Sequence, residues 1–271
     1  MNIIIPMAGK GSRFVSEGYT DPKPLINVGG RRIIEYVCDM YDKENDNFIF
    51  ICNEDHLATT DMSSILKGLV THSEIVSMPP HKLGPVYTVL AAKEFITNND
   101  PYIITYCDNP ITWNYDDFKE FIKDKDACVV SHVGFHPHTL SSNVFAYSKT
   151  DNDNRILEIK EKSSYTDNRF NEHASSGVYY FKHGCYILNY FQQLMGRKLS
   201  HNGEYYVTLV FNLLINEKID VYSYVNDMVL ALGTPNEVRN FEAWQTILGG
   251  TQVKNEEELV QCYNYWKDYN K

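Results

Sequence analysis

The feature that most constrains the fold of this chain is an alternation of short apolar runs with longer amphipathic segments. The runs are rich in Ile and Val and end at turn residues, which predicts buried strands. The segments between them have the apolar spacing of helices. The predicted strands are Ile3–Met7, Phe48–Cys52, Ile75–Met78, Tyr102–Cys107 and Cys128–Val133, and the predicted helices are Ile33–Tyr41, His56–Leu69, Val86–Phe95 and Tyr115–Lys123. This alternation predicts an α/β fold with a mostly parallel, twisted sheet and helices on both faces.

The pattern changes in the second half of the chain. A cluster of turn residues at 150–154 separates Val144–Ser148 from Arg155–Lys162, which predicts a small β-hairpin. Further strands are predicted over Val178–Phe181, Val221–Tyr224 and Met228–Leu232, and further helices over Cys185–Met195, Glu204–Ile215, Pro235–Leu248 and Glu256–Asn270. With no linker or internal repeat in view, we predict one domain over residues 1–245 and a C-terminal helical extension over 246–271.

Composition excludes several functional classes. The formal net charge of -10 makes the chain a poor general binder of nucleic acid or of anionic membranes. No apolar stretch approaches the length that spans a bilayer, and the N-terminus has no basic region of a signal peptide. The six cysteines form no CxxC pair and share no zinc-ligand spacing, so a reducing, cytoplasmic setting is expected.

A glycine-rich loop directly follows the first predicted strand. Its sequence, Gly9-Lys10-Gly11-Ser12-Arg13, fits neither GxxxxGK[ST] nor GxGxxG. Glycine lets backbone N–H groups come close to phosphate oxygens at such a junction. The loop is therefore a candidate phosphate site, although taken alone it is equally compatible with a plain strand-to-helix turn.

A lysine between two prolines follows shortly after this loop. In Asp21-Pro22-Lys23-Pro24 the prolines restrict the backbone and limit where the ammonium can go. An ammonium restricted in this way is suited to neutralising phosphate oxygens. The alternative is an exposed lysine in a proline turn.

Together the two segments resemble the signature of the sugar-phosphate nucleotidyltransferases, also called nucleotide-sugar pyrophosphorylases. The resemblance continues in the same order to about residue 245. The further matching segments are Gly84-Pro85, Tyr106–Asn109, Glu161-Lys162, Ser175–Tyr179, Asn202–Tyr205 and Gly233–Pro235. The resemblance implies a Rossmann-like nucleotidyltransferase fold. It also implies attack by an acceptor phosphate on the α-phosphorus of a nucleoside triphosphate, with release of pyrophosphate.

The resemblance also implies roles for individual residues. Arg13 and Lys23 are expected to neutralise the triphosphate, Asp108 to hold Mg²⁺, and Lys162 to orient the acceptor phosphate; these four are the expected catalytic residues. The nucleotide side is expected to include Ala8, Gly9, Gly11, Ser12, Arg13, Lys23 and Gly84, and the acceptor side Asn109, Lys162, Gly177 and Glu204. A phosphate nucleophile is already anionic, so alignment and charge neutralisation matter more than a general base.

One position departs from the family pattern. The family commonly has Asp two residues before the glycine of Gly-Thr-Pro, as a second metal ligand, whereas this chain has Ala231. Asp227 is too far along an extended strand to substitute simply. Glu204 is a possible replacement. Alternatively, the Mg²⁺ relies on Asp108, triphosphate oxygens and water.

Other interpretations remain open. The variant Pro6–Phe14 resembles chains associated with surface-polysaccharide synthesis, some of them cytidylyltransferases, which favours CTP and then UTP. A catalytically silent paralogue that binds nucleotide sugars is one alternative, and a glycosyltransferase of similar architecture is another. His132, His136 and His138 lie close together in sequence, and a metal cluster there is less expected than a loop at a strand end. The aromatic C-terminal helix suggests core packing or a subunit contact, so a homo-oligomer is possible.

Overall fold

The strands and helices alternate in space as they do in the sequence. The computed structural model describes residues 1–134, 136 and 145–247. In chain order the strands are β1 Asn2–Met7, β2 Asn27–Val28, β3 Arg31–Arg32, β4 Asn47–Asn53, β5 His72–Met78, β6 Tyr102–Thr105, β7 Ile111–Thr112, β8 Ala127–His132, β9 Ala146–Thr150, β10 Ile156–Glu161, β11 His173–Phe181, β12 Val221–Val225 and β13 Met228–Val229. The helices are α1 Ser12–Ser16, α2 Ile33–Cys38, α3 Glu54–Thr59, α4 Met62–Leu69, α5 Pro85–Leu90, α6 Tyr115–Phe121, α7 Gly184–Gly196, α8 Val207–Asn216 and α9 Pro235–Ile247.

The main sheet has the order β5-β4-β1-β6-β11-β8-β12, and the hairpin β9–β10 adds to the first part of β11. β1 runs parallel to β4 and β6, β4 runs parallel to β5, and β8 runs parallel to β12. β11 is antiparallel to its neighbours β6, β8 and β9. The predicted α/β fold with a mostly parallel sheet and a small hairpin is therefore confirmed, with β11 as an antiparallel strand in its middle.

Two apolar cores cover the two faces of the sheet. Side chains of β1 alternate between them, with Ile3 and Ile5 in one core and Ile4 in the other, because successive strand residues point to opposite faces. Helices α5, α7 and α8 pack on the face of Ile4, and α2, α4 and α6 pack on the opposite face. Helices on both faces, as predicted, leave the ends of the strands open.

A third, smaller core joins distant parts of the chain. It contains Phe14 of α1, Ile33 of α2, and Leu232 and Val238 beside and within α9. All four side chains are buried. This core fixes the glycine-rich loop against the C-terminal part of the described chain.

The structure corrects the bounds of several predicted elements. The single helix predicted over His56–Leu69 is divided into α3 and α4. Thr60 is extended there, and its Oγ1 donates to the carbonyl of His56 and accepts from the backbone N–H of Met62. These local hydrogen bonds compete with the helical pattern.

Three further predicted elements are shorter than expected. The helix predicted over Val86–Phe95 ends at Leu90 and is followed by a 3₁₀ turn. The helix predicted from Glu204 begins at Val207, because Tyr205 pairs with Leu83 instead. The strand predicted over Met228–Leu232 is regular only over Met228–Val229, where it pairs with β7.

Some predictions fall outside the described residues. Helix α9 ends at Ile247, the last described position. The C-terminal helix Glu256–Asn270, most of the extension 246–271, Val144 and His138 lie beyond what the structure describes. Within the described residues no helix is long and apolar enough to cross a membrane.

Candidate active site

The sequence motifs converge where parallel strands β1 and β6 end. The glycine-rich loop follows β1, and Tyr106–Asn109 follow β6. On the other side of β6, the backbone N–H of Tyr106 donates to the carbonyl of Gly177 at 2.9 Å, which brings β11 to the same edge. Carboxyl ends of parallel strands form the ligand crevice of open α/β sheets.

The glycine-rich loop is shaped by Gly11. This residue is left-handed, with φ 62° and ψ 32°, and caps the short helix α1, which begins at Ser12. Ala8, before the glycines, is buried. A Cβ on Gly11 would lie 3.4 Å from the Cβ of Lys23, so the loop packs directly against the proline-flanked lysine. The two motifs that are separate in sequence are thus one surface.

Lys23 and Asp108 form an ion pair at this surface. Pro22 is extended, and the chain then turns through Lys23–Leu25 in a single 3₁₀ turn. The two side chains are 21% and 18% exposed. Burial is the largest single influence on the pKa of Lys23 and lowers it, but the charge of Asp108, the charge of Cys107 and the hydrogen bond to Asp108 together outweigh burial, and the pKa is raised. Lys23 is therefore a cation at neutral pH, placed between the loop and β6.

Arg13 lies near both sides of the site. Its charge opposes protonation of Lys23 and lowers the pKa of Tyr206, although other causes dominate at both residues. The charge of Arg13, on α1, therefore acts on both Lys23, after the loop, and Tyr206, before α8. A guanidinium in this position is suited to binding an anion between these residues.

The acceptor side begins at Gly177. This residue has φ +83°, at an irregularity in β11 between Ser175 and Val178. A Cβ there would lie 3.1 Å from the ring of Tyr106 and 3.4 Å from the amide nitrogen of Asn109. The structure therefore brings Gly177 and Asn109 together, and the absence of a side chain at Gly177 allows this close contact with Tyr106 and Asn109.

Lys162 lies at the end of the hairpin, in a chain of polar contacts. It has φ +53°, and its ammonium donates to the hydroxyl of Tyr206 at 2.5 Å. Tyr206 in turn donates to the carboxylate of Glu204. Burial raises the pKa of the neighbouring Glu161, whose carboxylate accepts from Thr208. Sequence reasoning identified Lys162 and Glu204 but missed Tyr206, the residue that connects them.

Gly84 ties the nucleotide side to the acceptor side. The backbone N–H of Val86 donates to the carbonyl of Tyr205 at 3.1 Å, and that of Tyr205 donates to the carbonyl of Leu83 at 2.9 Å. Gly84 has φ +86°, and a Cβ there would lie 2.8 Å from backbone atoms of Tyr205. A glycine is required at this close approach.

We therefore expect Gly84→Ala to destabilise the protein by about 3 kcal/mol, from backbone strain and overpacking against Tyr205. Urea unfolding of purified protein measures this. Gly68→Ala is the matched control, because Gly68 lies in α4 with open space around it. That change should be neutral or stabilising by up to about 1 kcal/mol. Equal stabilities of the two variants would contradict the close packing described here.

The segment before α9 runs antiparallel to the residues that follow β6. Backbone N–H groups of Leu230 and Leu232 donate to the carbonyls of Pro110 and Asp108, at 2.8 and 2.9 Å. Gly233 is thereby placed against Asp108: a Cβ on Gly233 would lie 2.8 Å from Oδ2 of Asp108. The Gly-Thr-Pro segment thus lies directly at the metal-ligand candidate.

Glu237 is a residue of this region that sequence reasoning missed. Its Oε2 lies 3.5 Å from the same Cβ position on Gly233. Burial raises the pKa of Glu237, and the charge of Asp108 raises it further. The sequence signal was present, since Thr234-Pro235-Asn236-Glu237 fits the T-x-x-E capping box, but such a box predicts only a helix start. Glu204, the replacement considered for the missing carboxylate, contacts Tyr206.

Comparison with known proteins decides the family. A family model described as nucleotidyl transferase matches residues 2–269. The chain belongs to this nucleotidyl transferase family. Membership confirms the family and enzyme class predicted from the sequence, and the match extends through the predicted C-terminal extension.

Curated and solved relatives of this nucleotidyl transferase agree with the fold. The bifunctional protein GlmU of Methanocaldococcus jannaschii is 27% identical over 233 residues, which are 84% of this chain and 51% of the relative. The chain thus spans about half the length of the curated relatives of this type. A nucleoside-diphosphate-sugar pyrophosphorylase from Vibrio cholerae superposes with a TM-score of 0.71 at 19% identity, over 89% of this chain and 99% of the other. The inositol-1-phosphate CTP transferase from T. maritima has a TM-score of 0.67 at 14% identity, over 92% and 97%.

The donor atoms of this nucleotidyl transferase fit a hard divalent cation. Mg²⁺ prefers oxygen ligands and keeps several waters, with one or two carboxylates and substrate phosphates completing its shell. The carboxylate of Asp108 provides oxygens of this kind, and Gly233 lies directly against it. No group of three or more His, Cys, Asp or Glu side chains that could hold a metal occurs in the described part of the chain.

Two histidines of the 132–138 group lie in the described residues and pack against each other. The rings of His132 and His136 are in edge contact, with centroids 4.6 Å apart, and Nδ1 of His132 lies 3.2 Å from the hydroxyl of Ser176. Burial lowers the pKa of His136 to about 4, so this ring is neutral at pH 7. His138 lies outside the described residues. What is described of this group is buried packing at the end of β8.

Proposed function

We propose that this nucleotidyl transferase moves a nucleotidyl group from a Mg²⁺-bound nucleoside triphosphate to a small phosphorylated acceptor and releases pyrophosphate. The proposed acceptor is a sugar phosphate or another phosphorylated metabolite. CTP is the first candidate for the triphosphate and UTP the second, on the basis of the variant sequence of Pro6–Phe14 alone. Synthesis of surface polysaccharide in the cytoplasm is the proposed setting.

The observation that carries this proposal is the position of the Lys23–Asp108 pair. On one side it contacts the loop of Gly11, where backbone N–H groups and Arg13 are available to a triphosphate. On the other side lie Asn109 and Gly177, which are close together beside Tyr106. The ion pair therefore lies between the two sides, where a nucleotidyl group would pass from the triphosphate to the acceptor.

Each residue then has a defined task. Lys23 and Arg13 neutralise the charge that grows on the leaving pyrophosphate, and backbone donors of residues 8–12 hold the triphosphate in line. Lys162 binds and orients the acceptor phosphate. Because this phosphate is already anionic, it needs no general base. Asp108 would hold the Mg²⁺, and a bound Mg²⁺ would supply charge neutralisation at the phosphate oxygens. Gly177 lets the acceptor approach the backbone of β11.

The cysteines support the proposed compartment. The five described cysteines are free thiols. Four of them are buried core residues, namely Cys38, Cys52, Cys107 and Cys128, and the fifth, Cys185, is half-buried. Free thiols persist in a reducing environment, where nucleoside triphosphates are also abundant.

A pyrophosphate-release screen tests the proposal. Each of CTP, UTP, GTP, ATP and dTTP is combined with a panel of phosphorylated sugars, alcohols and amino acids in the presence of Mg²⁺. We expect release with one triphosphate and one acceptor class only. Binding of nucleotide sugars without any pyrophosphate release would instead favour the silent paralogue, for which Ala231 is the best support. Glycosyl transfer from a nucleotide sugar would favour the glycosyltransferase.

Lys162 provides a test of the acceptor side. We expect Lys162→Ala to raise KM for the acceptor at least about tenfold, while the affinity for triphosphate hardly changes, since a charge-assisted hydrogen bond to phosphate is lost. Steady-state kinetics and calorimetry with the triphosphate measure the two effects.

Lys160→Ala is the matched control, because Lys160 is two residues earlier on β10 and its ammonium lies over the ring of Tyr165. It should leave both quantities unchanged. If Lys162→Ala lowered triphosphate affinity and spared acceptor kinetics, the two sides of the site would be reversed.

A further inference from the structure

Two carboxylates face the same small space beside Gly233. Oδ2 of Asp108 lies 2.8 Å, and Oε2 of Glu237 3.5 Å, from the point that a Cβ on Gly233 would occupy. The two residues are far apart in sequence. Because position 233 has no side chain, both carboxylates can lie this close to its backbone.

Both carboxylates are held in place. The carbonyl of Asp108 accepts from the backbone N–H of Leu232, which fixes the turn in which Asp108 lies. Glu237 and Thr234 form the capping box of α9: Thr234 accepts from the backbone N–H of Glu237, and the carboxylate of Glu237 is hydrogen-bonded by Thr234 and by the backbone of Gly233. Val238, the next residue, is buried and keeps this turn of the helix in position.

The ion pair described in this region involves Asp108, one of the two carboxylates beside Gly233. The ammonium of Lys23 compensates on the Asp108 side, where it forms the ion pair. Carboxylate oxygens are the donors that a hard divalent cation binds, and Glu237 adds a second carboxylate beside that of Asp108.

We propose that Glu237 is the second carboxylate of a divalent-cation site that it shares with Asp108, and that Lys23 occupies the cation's place on Asp108 in the nucleotide-free protein. The ligand is Mg²⁺ or Mn²⁺ complexed with a triphosphate, so this inference rests on the proposed function. When the complex binds, the cation replaces the ammonium on Asp108. Lys23 is then free to contact the phosphate oxygens that arrive with the metal. Glu237 thereby supplies the carboxylate that Ala231 cannot.

Metal binding tests this independently of turnover. Mn²⁺ is titrated into the full chain and followed by electron paramagnetic resonance, with Mn²⁺ alone and with Mn²⁺ plus CTP or UTP. Glu237→Gln is the decisive variant, because glutamine retains the capping box and removes only the charge. We expect it to weaken binding of Mn²⁺ with triphosphate at least about tenfold. The affinity for metal-free triphosphate should not fall.

Asp227→Asn is the matched control. Asp227 is an exposed carboxylate ten residues before Glu237, near the start of the same returning segment. Its substitution should leave Mn²⁺ binding unchanged. Unchanged Mn²⁺ binding in Glu237→Gln would overturn the assignment of Glu237, and pyrophosphate release by the parent protein would leave the proposed function intact.

Lys23→Met tests the role of the ammonium. Without it, Asp108 has no competing cation, and we expect Mn²⁺ alone to bind at least about tenfold more tightly than in the parent protein. Equal binding would overturn the idea that Lys23 holds the cation's place. A parent protein that binds no Mn²⁺ with either triphosphate would overturn this inference. Tight, Glu237-dependent Mn²⁺ binding without pyrophosphate release from any triphosphate would uphold it and refute the proposed function.

Discussion

Asp108→Asn is expected to abolish turnover, with a loss of at least about a thousandfold. Asp108 lies in the turn after β6, pairs with Lys23, and is the carboxylate for which the sequence resemblance implies a metal-binding role. The amide of asparagine retains the size of the side chain and removes the charge that a divalent cation needs. Pyrophosphate release under saturating triphosphate and acceptor measures the effect.

The same experiment requires a metal titration and a control. Activity should depend strictly on a divalent cation, and the cation should bind more tightly with triphosphate than alone, because Lys23 occupies Asp108 in the free protein and Mg²⁺ favours phosphate and water. Asp116→Asn, at an exposed position of α6, should behave as the parent protein. Full activity in excess chelator would refute the metal assignment and much of the mechanism.

Lys23→Ala and Arg13→Ala are each expected to lower turnover at least about a hundredfold, equivalent to roughly 3 kcal/mol of transition-state stabilisation. Pro22 and Pro24 restrict the backbone on both sides of Lys23, and its ammonium pairs with Asp108. Thermal unfolding checks that both variants remain folded.

Lys10→Ala is the control for this charge effect. Lys10 lies in the same loop but is exposed, with its glycine neighbours on either side. Its removal lowers the positive charge of the region by the same amount as removal of Lys23. Near-parent turnover is expected for Lys10→Ala. The same result for Lys23→Ala or Arg13→Ala would remove that residue from the site.

Much of the fold was predictable because it depends on short-range pattern. Buried parallel strands must be continuous apolar runs, so β1, β4 and β6 were visible as Ile- and Val-rich segments between turn residues. The hairpin β9–β10 was visible from the turn residues between its strands. The break between α3 and α4 was not, because it depends on the hydrogen bonds of a single side chain, Thr60, that helical periodicity does not register.

The candidate site was predictable to the extent that its chemistry lies in contiguous motifs. A few neighbouring residues were enough to predict a role for each of three features: the glycine-rich loop, the proline-flanked lysine and the aspartate after β6. The contact of Tyr206 with Lys162 is different, since the two residues come from separate elements and are joined by packing of α8 against β10. No local pattern in either segment encodes that hydrogen bond.

Sequence alone determined which residues could serve a phosphate and in what order they occur. Only the tertiary structure decided which of them meet. Antiparallel pairing of residues 227–232 with 108–112 carries Gly233 to Asp108, and the third core then sets α9 so that Glu237 faces the same space. In sequence Glu237 is a helix-capping residue and nothing more. Its distance from Asp108 is set by long-range backbone hydrogen bonds and apolar packing, which depend on the whole chain.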